Sequence, residues 1–131
     1  MITKIESFKE TVPKAFRTLV DSYGYILMEM KTNKLNGQDW SVHFIYVNRE
    51  KGLKIIIKQE PYYTDYGFSF VVHKIENDEY NILYHVEHHL QDNENIFLSK
   101  AAEDLFSNRM TLDMISGKNW EVLNYIPFQK A

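Results

Sequence analysis

The spacing of apolar residues predicts a helix at the start of the chain. Apolar side chains recur three or four residues apart, which builds one stripe on a helix; they are Phe8, Val12, Phe16, Leu19, Val20 and Tyr23. Ser7 and Glu10 match a capping box at the start, and Gly24 matches a left-handed cap at the end. Because Pro13 removes a backbone amide, the helix either kinks there or begins near Thr11.

After Gly24 the period changes to two, which is typical of strands. Four segments rich in β-branched and aromatic residues span residues 25–31, 40–48, 53–59 and 67–75. Turn residues separate them at 36–37, 48–52 and 61–67. Connections this short join neighbouring antiparallel strands, so the pattern predicts a four-stranded meander.

The alternation assigns each strand residue to one of two faces. The more apolar face is the predicted core, comprising Ile26, Met28, Met30, Trp40, Val42, Phe44, Tyr46, Leu53, Ile55, Ile57, Phe68, Phe70 and Val72. We expect Phe44, Ile55 and Phe70 to be buried there against Phe16 and Leu19 of the helix.

The second face of the sheet carries more aliphatic residues than a solvated face needs. It comprises Tyr25, Leu27, Glu29, Lys31, Ser41, His43, Ile45, Val47, Lys54, Ile56, Lys58, Ser69, Val71, His73 and Ile75. Five of these form an apolar centre within a charged rim: Leu27, Ile45, Val47, Ile56 and Val71. Either a C-terminal helix covers this face, or its strands simply tolerate aliphatic residues, or it binds a protein partner or a second copy.

The rest of the chain is predicted to be mostly helical. Residues 78–91 fit a helix, although the alternation from Ile82 to Val86 also fits a strand. Asn95 is the expected N-cap of a helix over residues 98–106, with an interruption near Asn108 and a stop at 116–117. Residues 120–126 fit either a short helix or a strand, which Pro127 ends. The predicted fold class is therefore α+β: an N-terminal helix on a four-stranded antiparallel meander with a helical C-terminal half, in a single domain over residues 1–131.

Histidines are the main candidates for chemistry. On a helix, His85 and His89 would share a face and could hold a divalent metal. The metalloprotease pattern requires Glu after the first His, where this chain has Val86, so we expect solvated histidines and no metal or cofactor. His43 and His73 share the second sheet face and would form a titratable cluster if the strand order brought them together.

Composition narrows the function classes. The chain has no cysteine, which excludes disulfides and thiolate metal sites. Its net charge is −3 with no dense basic run, so we expect no nucleic-acid binding. Without a long apolar run or an apolar signal core, the chain is expected to stay off membranes and in the cytoplasm. No phosphate-binding glycine loop or nucleophile elbow occurs, so we expect no enzyme.

The layout also resembles a group of known proteins. The helix end from Phe16 to Tyr25, a following strand, a strand pair led by Asp39 and Trp40, and a stretch from Ile115 to Trp120 carry the resemblance. Similar patterns occur in small bacterial α+β proteins, some of which are thought to be immunity proteins against toxins from neighbouring cells. The resemblance implies binding of one toxin through a complementary surface, and it carries over no catalytic residue.

The sequence thus favours a non-enzymatic protein-binding module, with toxin neutralisation as its most specific form. The predicted binding face comprises Leu27, Glu29, His43, Ile45, Val47, Lys54, Ile56, Lys58, Val71 and His73. Two alternatives stay open: a small-molecule or metal-dependent enzyme that uses the histidines, and a structural homodimer formed through the second sheet face.

Overall fold

The computed structural model describes residues 3–60 and 67–130. The elements in chain order are α1 (Lys4–Ala15), α2 (Thr18–Tyr23), β1 (Ile26–Leu35), β2 (Gln38–Asn48), β3 (Leu53–Glu60), β4 (Gly67–Lys74), β5 (Tyr80–Val86), a 3-10 turn (His88–Leu90), α3 (Phe97–Phe106), α4 (Arg109–Ile115) and β6 (Phe128–Lys130). Most of the predicted turn over 61–67 lies outside the described residues.

The N-terminal helix begins earlier than predicted. Thr3 caps it: its hydroxyl oxygen accepts from the Glu6 backbone N–H at 3.1 Å and also donates to the Glu6 carboxylate. The Ser7 amide already donates to the Thr3 carbonyl at 2.9 Å, so Ser7 lies inside the helix and its assignment as the cap is wrong. The same Ser/Thr-x-x-Glu spacing occurs twice here, and the earlier copy forms the capping box.

Pro13 lies inside α1, and the predicted single helix is two helices. The first continues through Pro13 to Ala15, and the second begins at Thr18. Gly24 ends α2 with a left-handed φ of 74°, as predicted. Phe16, at the junction, is fully buried.

The sheet has six strands, in the order β1-β2-β3-β4-β5-β6. The antiparallel meander of β1 to β4 is confirmed, but β5 extends it in antiparallel fashion and β6 then pairs with β5 in parallel. Between β1 and β2, Asn36 and Gly37 both have positive φ, the conformation that a tight hairpin turn requires.

Residues 78–91 do not form a helix, and the expectation of a mainly helical C-terminal half is wrong. Residues 80–86 form β5, with a register shift opposite Phe70 and Val71 that makes Leu83 an extra residue. The extra residue leaves both Leu83 and Tyr84 buried, and this break in alternation imitated helical spacing. Residues 120–126 are irregular, and β6 follows Pro127.

Asp92, and not Asn95, caps the next helix. The Asp92 carboxylate accepts from the backbone N–H groups of Ile96 at 2.7 Å and Phe97 at 2.9 Å. Asn95 is instead buried, and its side-chain amide donates to the Lys4 carbonyl at 2.8 Å, which ties the turn before α3 to the start of α1. The predicted interruption near Asn108 is confirmed, since its side chain caps α4 by accepting from the Thr111 N–H.

The core lies between the sheet and the helices. Phe44, Ile55 and Phe70 are buried there with Phe16 and Leu19, as predicted. The predicted burial of three β1 residues is wrong, because Ile26, Met28 and Met30 are 63%, 52% and 45% exposed. β1 is an edge strand, and Met28 is an extra residue at a register shift that reverses the predicted faces of Ile26 and Leu27. Met30 lies on the predicted side, opposite Phe44, but at the exposed edge.

None of the helices within residues 3–60 and 67–130 is long and apolar enough to span a membrane.

Candidate functional site

The face of the sheet opposite the helices carries the candidate site, and we call it the outer face. An apolar row crosses its middle on four successive strands. The row consists of Ile45, Ile56, Val71 and Ile82, each paired with the next across neighbouring strands. Val71 is 4% exposed and the three isoleucines are half-buried. Because cross-strand partners lie about 5 Å apart, the four side chains form one continuous strip.

Polar rows flank the apolar row on both sides. On one side Lys54 and His73 are a cross-strand pair, continued by Val47 and Tyr80. On the other side Lys58 pairs with both His43 and Ser69. This second row extends to Lys31 and His85 at its two ends and is polar throughout, whereas the first row is polar only at Lys54 and His73 and ends in Ile26 at the sheet edge.

The helices described in residues 3–60 and 67–130 pack on the other face. Their buried side chains, such as Phe8 of α1 and Leu98 of α3, belong to the core cluster together with Phe44 and Phe70. The apolar row does not belong to that cluster. Helix cover, one of the three interpretations of this face, is therefore not provided by the described C-terminal helices.

Two predicted members of the second sheet face, Tyr25 and Leu27, lie elsewhere. Tyr25 is buried in the core cluster, where its hydroxyl donates to the Ile115 carbonyl at 2.7 Å. Leu27 pairs with Tyr46, a core residue, and lines a groove of about 320 Å³ with Pro13 and Val20 of the helical side. The assignment of Leu27 to the binding face is wrong, because Met28 shifts the alternation of β1. The other nine predicted residues do share the outer face: Glu29, His43, Ile45, Val47, Lys54, Ile56, Lys58, Val71 and His73.

Sequence reasoning missed the contribution of β5. Ile82 completes the apolar row, and Tyr80 and His85 complete the flanking rows. The alternation from Ile82 to Val86 was the available signal, but the extra residue at Leu83 obscured it.

His43 and His73 do not meet. They lie on β2 and β4 with β3 between them, opposite Lys58 and Lys54 respectively. His43 Nε2 instead contacts the Glu60 carboxylate at 2.7 Å. The His73 ring stacks on Tyr80 with centroids 5.4 Å apart, and burial, together with Lys54 and Lys58, lowers the pKa of His73. At neutral pH the His73 ring is therefore an uncharged surface beside Lys54.

The geometry needed for a metal site at His85 and His89 is absent. His85 lies in β5, where its Nδ1 is 2.8 Å from the Ser69 hydroxyl, whereas His89 lies in the 3-10 turn, 3.5 Å from the Glu87 carboxylate. The helical spacing that would place both rings on one face does not exist, since this segment is not an α-helix. Within the described residues, no three His, Asp or Glu side chains are grouped so that they could hold a metal ion.

The outer face is locally basic although the chain is acidic overall. Lys54 and Lys58 flank Ile56 on the same strand, and Lys31 lies beside His43. Among the described residues, acidic groups at this face include Glu29 at the sheet edge, Glu60, which is already bonded to His43, and Asp78, whose charge acts on His73. A ligand carrying negative charge around an apolar centre would complement this surface.

Comparisons with protein-family models, with curated proteins and with solved structures find no match to this chain. The resemblance to immunity proteins therefore stays a prediction from the sequence.

Proposed function

We propose that this protein is a cytoplasmic protein-binding module that works without catalysis and docks its partner on the outer face. The observation that carries the proposal is the apolar row, which crosses four strands without cover from any described helix. Toxin neutralisation is the most specific form of this function, and the resemblance of the sequence to immunity proteins supports it.

The chemistry of the face indicates the kind of partner. A row of aliphatic side chains within a polar rim has the composition of a protein–protein interface, whose centre is desolvated while its rim stays wet. A sheet face also lacks the concave shape in which small molecules bury most of their surface. We therefore propose a protein partner with an apolar centre and acidic residues around it, complementary to Lys54 and Lys58.

The lysines would act mainly on the rate of association. Charges at the rim of an interface steer the encounter and lose their effect as salt screens them, whereas the apolar centre determines how slowly the complex dissociates. Lys54→Glu combined with Lys58→Glu should therefore slow association, with the largest effect at low salt.

The test compares two substitutions of exposed or half-exposed isoleucines. Ile56→Glu places a carboxylate in the apolar row between Lys54 and Lys58, and a urea titration of the variant checks that it is folded. Ile96→Glu is the matched control, since Ile96 is 68% exposed and lies just before α3, away from the outer face. Both variants and the parent chain are immobilised and exposed to the cytosolic proteins of the source organism.

We expect a specific protein to bind the parent chain and Ile96→Glu but not Ile56→Glu. For the toxin-neutralising form, the gene beside that of this protein is expressed with each variant, and we expect growth rescue to follow the same pattern. Binding or rescue by Ile56→Glu at the level of the parent chain would refute the use of the outer face. Failure of rescue by the parent chain itself would refute neutralisation of that gene product.

A further inference from the structure

The two edges of the sheet differ in how far other parts of the chain cover them. At the β5 edge, β6 covers Tyr84 to Val86. Beyond β6, the Asn81 side chain donates to the Glu121 carbonyl and accepts from the Leu123 N–H, both at 2.8 Å. At the other edge, β1 pairs with β2 and with no other described strand. An edge strand of ten residues presents a row of backbone groups that can pair with another strand.

The β1 edge is also apolar. Ile26, Met28 and Met30 are exposed along it, and Val20 of α2 adds a fourth exposed apolar side chain on the helical side of the sheet. Exposed apolar residues on an unpaired edge are typical of a site of strand addition.

The charges of β1 favour pairing with a second copy of β1 in one register. Glu29 and Lys31 project to the outer face on either side of Met30, which faces the helical side opposite Phe44. If two copies of β1 pair in antiparallel fashion around a twofold axis at Met30, Glu29 of each copy lies opposite Lys31 of the other. The two methionines then meet on the axis, and the regular register ends before Met28, the extra residue at the register shift.

The two symmetric registers nearest to this one are unfavourable. Successive residues of β1 direct their backbone N–H and C=O groups alternately toward β2 and away from it. If the twofold axis lay between two residues, each residue with outward groups would face one whose groups are already bonded to β2. The axis must therefore pass through a residue. An axis at Glu29 places two glutamates opposite each other, and an axis at Lys31 does the same with two lysines, which is destabilising. Lys34 takes no part, since it is bound to Asp39 within the β1–β2 hairpin at 3.0 Å.

We propose that the β1 edge binds a second copy of this chain through antiparallel β1–β1 pairing centred on Met30. The interface is isologous, so each Glu29–Lys31 pair occurs twice, and it closes after two copies. It goes beyond the proposed function because it uses the sheet edge and leaves the apolar row of the outer face free in both copies.

Charge exchange tests the proposed register. The mass of the full-length protein is measured by sedimentation equilibrium across micromolar concentrations, where the dimer has twice the 15.6 kDa of one chain. Glu29→Lys and Lys31→Glu each place like charges opposite each other at the twofold axis. We expect each to weaken self-association by at least about tenfold. Both residues are exposed, so the fold is retained.

A mixture of the two single variants should restore the dimer, because both cross-strand pairs between positions 29 and 31 are then between opposite charges. The double variant that carries both changes should also dimerise like the parent chain. The controls are Glu103→Lys and Lys118→Glu, which make the same charge changes at exposed positions of the helical region and should leave the dimer intact.

Three results would overturn the proposal: a parent chain that is monomeric throughout, a dimer that the single variants do not weaken, and single variants whose mixture stays monomeric. Ile56→Glu separates this proposal from the proposed function, since it should abolish partner binding and leave the β1–β1 dimer in place. A dimer lost in Ile56→Glu and kept in the β1 variants would instead assign self-association to the outer face and refute pairing at β1.

Discussion

Ile56 and Ile57 are neighbours in β3 that face opposite sides of the sheet, and truncating each to alanine measures how differently those sides are covered. Ile57 is fully buried in the core, opposite Phe44 and Phe70. Removing its side chain leaves a cavity that the packed aromatic rings cannot fill, which costs about 2–5 kcal/mol. Ile56 is half-buried and pairs with Ile45 and Val71, so its truncation removes contacts on one side only and costs about 1 kcal/mol.

Urea denaturation followed by tryptophan fluorescence gives both numbers. For a domain of this size the free energy of unfolding falls by about 1–3 kcal/mol for each molar of urea. A loss of about 3 kcal/mol in Ile57→Ala therefore lowers the midpoint by about 1–3 M, whereas Ile56→Ala lowers it by less than about 1 M. Equal losses in the two variants would mean that the outer face is a second core, and would refute its role as an open surface.

The remaining predictions concern three polar contacts. Thr3→Ala should lower the free energy of unfolding by about 1 kcal/mol through loss of the helix cap, while Ser7→Ala should change the urea midpoint little. For Asp92, burial opposes ionisation, but the helix N–H groups outweigh it and lower the pKa below its usual 3.8. The stabilisation from Asp92 is therefore complete above pH 3.8 and is lost as the pH falls through the pKa of the folded state. The difference in unfolding free energy between the parent chain and Asp92→Asn, measured by urea titration, should therefore shrink below pH 3.8. Asn81→Ala removes both hydrogen bonds to the segment after α4, and limited proteolysis should cut that segment faster, at the bonds near Leu123, than in the parent chain.

The sequence predicts the parts of the fold where one period holds without interruption. β2, β3 and β4 alternate cleanly from Val42 to Val72, and their buried and outer faces are as predicted. The turn at Asn36 and Gly37 and the helix end at Gly24 follow from residues that tolerate positive φ, so these too could be identified locally.

The errors fall where a single extra residue interrupts the alternation. The extra residue Met28 in β1 places Leu27 on the helical side and Ile26 on the outer face, and the extra residue Leu83 made β5 look helical. A register shift depends on the partner strand, so one strand read alone does not reveal it. The caps at Thr3 and Asp92 were missed for a related reason, since neighbouring residues with equivalent chemistry compete and only packing decides between them.

For the candidate site, the sequence predicted the face more completely than its edges. Nine of the ten residues assigned to it do share the outer face, whereas the contribution of β5 depended on a strand that the pattern left ambiguous. Whether the two histidines meet could be predicted only from the strand order, because β3 lies between β2 and β4 and separates His43 from His73.

The identity of strand order and chain order determines how this protein assembles during synthesis. Each hairpin from β1 to β5 joins neighbours in the chain, so pairing proceeds strand by strand as the ribosome releases them, with little loop-closure cost. The helices that cover the sheet are synthesised at two different times, α1 before the sheet and α3 after β5. The bond from Asn95 to the Lys4 carbonyl, which spans 91 residues, is therefore among the last contacts to form. Until α3 emerges, Phe68 and Tyr84 lack their contacts with Phe97 and Asp104 on the helical side of the sheet. This interval is when the nascent chain is most exposed to aggregation.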